Sequence, residues 1–262
     1  MDMSAYREVF QRKEIKYLLD EPQYRELSEF LGSMARVDKY GLSRINNIYY
    51  DTPDHRLIRC SMEKPLYKEK LRLRTYGTAD DDTNAFIEIK KKYAGVVYKR
   101  RISGKYKDMY GYLSGDKGDI GTSQIAKEIE AFRQLYGELI PAMSICYERI
   151  AMAGTEDKDF RITFDRNIEW NEECSDLRMI KKGKPLLQPG QYLMEIKVSN
   201  AFPRRLSQKL SELEVFPTSF SKYGAGYTDM MRENSVKVKK TSPAVLQAEH
   251  NNRKMKGEIA YV

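Results

Sequence analysis

Charged and apolar residues alternate with a period of two through seven segments of this chain, and in a strand that period sends each kind to its own face. Segment 66–76 puts Lys68, Lys70, Arg72 and Arg74 on one face, with Leu71 and Leu73 on the other. Segment 85–93 groups Glu88, Lys90 and Lys92 opposite Ile87 and Ile89, and 96–102 sets Lys99 and Arg101 against Val96, Tyr98 and Ile102. Arg149 shares a face with Tyr147 in 143–153, while Arg161, Thr163 and Asp165 oppose Phe160, Ile162 and Phe164 in 159–166. In 191–199, Glu195 and Lys197 oppose Met194, Ile196 and Val198. Segment 9–19 carries Arg12, Glu14 and Lys16 on one face, joined by Leu18. A single strand of this kind describes a sheet with one solvated face. Seven in succession require a common place for all the charged faces.

The remaining periodicity is helical. Glu21-Pro22 opens an amphipathic helix with Tyr24, Leu27, Phe30, Leu31 and Met34 at helical spacing. After a strand over 43–51, Asp51-Thr52-Pro53-Asp54 reads as a cap with proline in the first turn of a short helix to about Met62. Helices are expected over 123–136, 202–213 and 221–232. Stretch 106–122 reads as irregular, and 167–190 as a polar insertion with a short hairpin. Short turns between strands, such as Ala94-Gly95, favour an antiparallel sheet over βαβ units. Helices that bury their stripes on the apolar sheet face leave the charged faces together. The expectation is an α+β fold: a closed antiparallel β-barrel tunnel of about eight strands, charged inside, with peripheral helices. Residues 1–233 would form this domain, and 234–262, lysine-rich without an apolar period, a basic and mobile tail.

Such a lumen would hold Lys16, Arg72, Arg74, Lys90, Lys99, Arg101, Arg149, Arg161 and Lys197, nine cations against the four acids Glu14, Glu88, Asp165 and Glu195. Like charges crowded together repel, so the lumen calls for an anion of high charge density, which a phosphate chain supplies. Arginine offers forked donors to phosphate oxygens, and lysine a point charge. A carboxylate among phosphates is repulsive unless a divalent cation lies between them. Magnesium and manganese use one or two carboxylates plus phosphate oxygens, which makes Glu195 the leading metal ligand, with Glu88 and Glu14 behind it. Each of those two can instead pair with a basic neighbour.

The whole chain agrees in sign: 46 basic against 38 acidic residues, a net charge of +8. Cys60, Cys146 and Cys174 are odd in number and widely spaced, as reduced thiols of a cytoplasmic protein are. With only His55 and His250, a zinc centre and histidine-based nucleophilic catalysis are disfavoured. No apolar leader opens the chain, and no window reaches the ~18–20 apolar residues of a membrane span, so a soluble protein is expected. Gly224-Ala225-Gly226 lacks the third glycine and the preceding strand of a nucleotide fingerprint, and no Gly-x4-Gly-Lys-Ser/Thr loop exists.

Several segments, in order, resemble the tunnel strands of the vacuolar transporter chaperone (VTC) domain, the polyphosphate polymerase branch of the triphosphate tunnel metalloenzymes. They are Phe10-Gln11-Arg12-Lys13-Glu14-Ile15-Lys16-Tyr17, Ile48-Tyr49-Tyr50-Asp51-Thr52-Pro53 and Leu71-Arg72-Leu73-Arg74-Thr75-Tyr76-Gly77. Phe86-Ile87-Glu88-Ile89-Lys90-Lys91-Lys92 and Tyr98-Lys99-Arg100-Arg101 follow, then Tyr147-Glu148-Arg149 and Arg161-Ile162-Thr163-Phe164-Asp165. Met194-Glu195-Ile196-Lys197 and Ser219-Phe220-Ser221-Lys222-Tyr223 complete the series. The resemblance implies that Lys16, Arg72, Arg74, Lys90, Lys99, Arg149, Arg161 and Lys222 hold a triphosphate or product chain, and that Glu195 holds a divalent metal. Parity favours Lys99 over Arg100 for its role.

The resemblance further implies an enzyme whose substrates are ATP and inorganic polyphosphate, with Arg72, Arg74, Lys90, Lys99 and Glu195 at the reacting phosphates. Neither DNA nor membrane insertion has a part in that reading, and export of the product would need a membrane-protein partner. Two rivals remain open: a tunnel enzyme that hydrolyses triphosphate or cyclises ATP, and a non-catalytic polyphosphate or RNA binder.

Overall fold

The computed structural model describes residues 13–241 apart from 95, 117, 158 and 200, with the backbone alone at 237–241. Residues Val9 to Arg12 of the expected first strand, Gly95 of the expected turn and the tail beyond 241 lie outside the described residues. The elements are β1 (Lys13–Leu19), α1 (Glu21–Leu31), β2 (Ala35–Asp51), α2 (Arg56–Met62), β3 (Tyr67–Tyr76), β4 (Asn84–Tyr93), β5 (Val96–Lys105), α3 (Tyr106–Ser114), α4 (Gln124–Tyr136), β6 (Ile140–Gly154), β7 (Arg161–Asn171), β8 (Lys184–Pro185), β9 (Tyr192–Val198), α5 (Arg204–Glu212), β10 (Pro217–Thr218) and α6 (Lys222–Thr241).

Every strand pair is antiparallel, in the order β10-β1-β9-β7-β6-β2-β3-β4-β5, with β8 on β7. Among the described residues the sheet is not closed into a barrel, contrary to the sequence expectation: the path ends at β10 and β5 without pairing them. It is nonetheless curled, because Glu14 of β1 reaches Lys90 of β4, which are not neighbours in the sheet. Side chains rather than backbone bonds close the gap. Lys70 of β3 donates to Ser221 in the loop between β10 and α6.

Two cores lie on the apolar face. Tyr17, Ile162, Phe164, Met194 and Ile196 pack with Leu27 and Leu31 of α1 and Leu206 and Leu210 of α5. Ile48, Leu71, Leu73, Ile87 and Ile89 pack with Met109 and Leu113 of α3 and Ile129 and Phe132 of α4. Each fully buried leucine or isoleucine contributes ~1.5–3 kcal/mol, so these cores hold the helices on the convex side and leave the charged face concave. A third core departs from that pattern. Tyr223, Tyr227 and Met230 of α6 pack on Ile45, Tyr49, Ile145, Tyr147 and Leu193, which share the charged face. Helix α6 is therefore not peripheral; it fills one part of the concave side. A Cβ on Gly226 would lie 2.6 Å from the Met143 Sδ, so glycine there lets the helix approach closely.

Three local expectations need correction. Stretch 106–122 is not wholly irregular, since burial of Tyr106, Met109 and Leu113 stabilises α3 despite the interior Gly111. Helix α6 runs past Glu233 to Thr241, beyond the point where a tail was expected. Asp51 does not cap a helix containing Pro53: α2 starts at Arg56, after His55 in the left-handed region. The fully buried Asp51 carboxylate reaches forward instead, accepting from the backbone N–H groups of Leu57 at 2.8 Å and Ile58 at 3.0 Å. It also accepts from the Tyr223 hydroxyl at 2.8 Å, joining β2, α2 and α6. Asp51→Ala is expected to lower unfolding free energy by ~2–4 kcal/mol in urea titration, because it removes the charged acceptor of the Thr52, Leu57 and Ile58 amides and of the Tyr223 hydroxyl. A loss below about 1 kcal/mol would contradict this role.

Candidate functional site

Register places the first cluster. Arg72 of β3 is directly opposite Glu88 of β4, and Glu88 is directly opposite Arg101 of β5. Glu88 is only 1% exposed and lies among four cations. Its carboxylate is 2.7 Å from Arg72, 2.6 Å from Lys99, 3.7 Å from Arg74 and 4.0 Å from Arg101. Burial alone would push its pKa up, but Arg72, Arg74 and Lys99 outweigh that and hold it well below the usual carboxylate range. Strands β2 and β6 supply neutral partners. Arg72 donates to the Tyr49 hydroxyl at 3.0 Å, and Arg74 donates to the Asn47 Oδ1 at 2.9 Å and the Tyr147 hydroxyl at 3.3 Å.

The second cluster spans β6, β7, β9, β1 and the start of α6. Arg149 makes a forked pair with Asp165 at 2.5 and 2.7 Å, and the two are direct cross-strand partners. Lys222 lies 2.6 Å from Asp165 and 3.3 Å from Glu195. Arg149 and Lys16 each approach Glu195 at 3.3 Å. Burial raises the Glu195 pKa, but Lys222, Lys16 and Arg149 bring it well below the ordinary range. Glu14 stands between the clusters, 3.6 Å from Lys16, 3.8 Å from Lys197 and 3.9 Å from Lys90.

Of the expected set, Lys16, Arg72, Arg74, Lys90, Lys99, Arg101, Arg149, Lys197 and Lys222 thus come together on the concave face around Glu14, Glu88, Asp165 and Glu195. Arg161 does not join an ion pair among the described residues; it is exposed at the start of β7, directly opposite Lys197. Sequence reasoning passed over Asn47 and Tyr49, although the parity of 43–51 puts both on one face. Lys70, on the charged face of β3, was left out of the inward set.

All three expected metal ligands are ion-paired: Glu88 with Arg72, Arg74, Lys99 and Arg101, Glu195 with Lys222, Lys16 and Arg149, and Glu14 with Lys16, Lys197 and Lys90. Glu195, beside Glu14 on the neighbouring strand, offers an all-oxygen pair that suits magnesium or manganese when phosphate oxygens supply the remaining positions. Among the described residues, no group of three or more His, Cys, Asp and Glu side chains forms a ready cation nest.

Three groups sit near neutrality. Burial draws Lys70 down to about 8, assisted by Lys90 and Lys68 and opposed by Tyr49. Burial likewise draws Lys99 down to about 8 against the pull of Glu88. Burial pushes the Tyr49 phenol up, yet Arg72 and Lys70 outweigh it and bring it down to about 8. A lysine is a cation below its pKa and tyrosine an anion above its own, so raising pH through 8 makes the site less positive at all three. Affinity for a phosphate chain, whose internal groups stay ionised, is therefore expected to fall between pH 7 and 9, by up to about tenfold per pH unit for each lysine that must be charged. Calorimetric titration measures it, and Lys70→Arg should flatten the profile because arginine stays protonated. A level profile in the wild type would contradict the assignment.

Structural similarity extends to several solved proteins, three of which are as follows. A candidate adenylate cyclase from Bacillus halodurans is 12% identical, covering 80% of this chain and 95% of its own, with a TM-score of 0.49. One from Vibrio parahaemolyticus is 11% identical, covering 82% and 96%, with a TM-score of 0.44. A candidate adenylyl cyclase from Hippeastrum, described as revealing a dominant triphosphatase activity, is 15% identical, covering 82% and 95%, with a TM-score of 0.47. No curated protein sequence matches the chain significantly. The VTC domain matches residues 11–231, nearly the whole span of the sheet and its helices, and the chain belongs to the VTC domain family.

Proposed function

We propose that this protein is a polyphosphate polymerase that transfers the γ-phosphate of ATP to the end of a growing inorganic polyphosphate chain. The observation that carries the reading is the gathering of nine lysines and arginines around four carboxylates on one concave face, in a member of the VTC family. The forked arginines Arg72, Arg74 and Arg149 hold non-bridging phosphate oxygens, while Lys16, Lys90, Lys99, Arg101, Lys197 and Lys222 supply the surrounding positive field. Arg161 extends that field at its edge. Tyr49, Asn47 and Tyr147 fix the two β3 guanidinium groups, so that they meet the phosphates already oriented.

Glu195, with Glu14 beside it, would hold manganese or magnesium, which supplies charge neutralisation on the transferred phosphoryl group and its leaving oxygen. The terminal phosphate of the chain attacks the ATP γ-phosphorus. A phosphorus–oxygen bond forms there as the bond to the ADP oxygen breaks. An ionised phosphate is already a nucleophile, so positioning and charge stabilisation suffice and no histidine is required. The exposed cations at the edge of the face suit a polyanion entering or leaving. Three unpaired cysteines suit a reducing compartment, and the cytoplasm is the proposed location. No helix among the described residues is long and apolar enough to cross a membrane.

Incubation of the purified protein with ATP and manganese, followed by gel analysis, tests the reading. Nuclease-resistant phosphate chains are expected, lost in Glu195→Ala and reduced by ~100-fold or more in Arg72→Ala, the scale of losing one transition-state donor. Free phosphate or tripolyphosphate without chains would establish a hydrolase instead. Chain binding without turnover would establish a binding module.

A further inference from the structure

Outside the two carboxylate-centred clusters, one group of cations has no compensating acid. Lys68 of β3 and Lys92 of β4 are direct cross-strand partners, an arrangement that places like charges opposite each other and destabilises a sheet. With Lys64 they line a cavity of about 490 Å³, completed by Pro65, Leu66 and Ser219, beside the segment that follows β10. No carboxylate lines the cavity, and none of the three lysines forms an ion pair with another described residue. Lys68 donates to the Ser61 carbonyl at 3.1 Å, which fixes its ammonium group without neutralising it. Lys64 adopts a left-handed backbone conformation, with φ of 54°, at the bend leading into β3. Burial, Lys92 and Lys64 all disfavour the Lys68 charge.

This cavity adjoins the site by register. Lys68, Lys70 and Arg72 occupy alternate β3 positions, ~6.7 Å apart along the strand. Lys70 also lacks an acidic partner among the described residues, its ammonium group bonding the Ser221 hydroxyl. Arginines lie where carboxylates hold them, around Glu88 and Asp165. Lysines alone continue from Lys70 to Lys68, Lys92 and Lys64. Lysine binds phosphate as a point charge with little geometric demand, which suits a chain that must slide rather than one phosphoryl group that must be aligned.

We propose that the Lys64–Lys68–Lys92 cavity is a second phosphate-chain site, which holds the polyphosphate beyond the residues that handle the reacting phosphates. This inference rests on the proposed function for the identity of its ligand. The phosphate chemistry it needs would also be met by a small free phosphate compound, and the test separates the two.

The full chain and a Lys64→Gln, Lys68→Gln, Lys92→Gln variant are titrated at low salt with tripolyphosphate and with long-chain polyphosphate. The variant is expected to lose about tenfold or more in long-chain affinity, the sum of three charge contacts, with a shallower salt dependence. Its tripolyphosphate affinity should stay within about twofold of wild type, since that ligand is met by the main clusters. The single exposed substitutions Lys64→Glu and Lys92→Glu, which leave Lys68 intact, should each weaken long-chain binding in the same direction. Unchanged long-chain affinity in all three variants would overturn the inference, as would an equal loss for both ligands. A variant that loses a second tripolyphosphate-binding event but keeps long-chain affinity would also overturn it, assigning the cavity to a small phosphate compound. If the long-chain loss is found while ATP yields no polymer, the chain site stands and the polymerase reading falls.

Discussion

Crowding arginine and lysine onto one concave sheet face is tolerable because buried carboxylates stand between them. Glu88 alone is shared by Arg72, Arg74, Lys99 and Arg101, drawn from the two strands that flank its own. Asp165 and Glu195 do the same for Arg149, Lys222 and Lys16. Buried ion pairs add little net stability, because desolvation offsets attraction, but removing one partner costs ~3–5 kcal/mol. The carboxylates therefore fix where the cations point more than they strengthen the fold. Their number falls short of the cations, which leaves a positive surplus for an incoming anion.

The remaining architecture follows from keeping that face concave. Helices α1, α3, α4 and α5 cover the apolar side, and α6 seals part of the charged side through Tyr223, Tyr227 and Met230. Asp51 ties α6 to β2 and α2 through Tyr223, the neighbour of Lys222, and so anchors the element that carries that lysine. Among the described residues the hydrogen-bonded sheet stops short of closure, and Glu14–Lys90 and Lys70–Ser221 span the gap. Side-chain closure of this kind can open without breaking a ladder of backbone bonds.

Much of this was legible in the sequence, because a period of two is decisive wherever one face must be apolar. The parity of β3, β4, β5 and β9 put their charged residues on one face, as the observed register does, and the VTC resemblance agrees with the family match over 11–231. What escaped depended on tertiary contact. Closure depends on strand stagger, which alternation does not encode. Helix α3 carries an interior glycine that masks its signal, and α6 has aromatic residues that suit either side of a sheet. Asp51 was read as a local cap because the distance from its carboxylate to Leu57 and Ile58 arises only once the intervening turn forms. Glu88 stood behind Glu195 as a metal ligand, with pairing to a basic neighbour as its alternative, and the register does surround it with cations.

The central claim is that the carboxylates occupy a field made for phosphate. Thermal unfolding of wild type and Glu88→Gln, each with and without tripolyphosphate, tests it most directly. The account predicts that Glu88→Gln melts below wild type without the anion and gains more than wild type when it is added, because added phosphate compensates Arg72, Arg74, Lys99 and Arg101 in place of the lost carboxylate. An equal or smaller gain in the variant, or no gain in either protein, would contradict it.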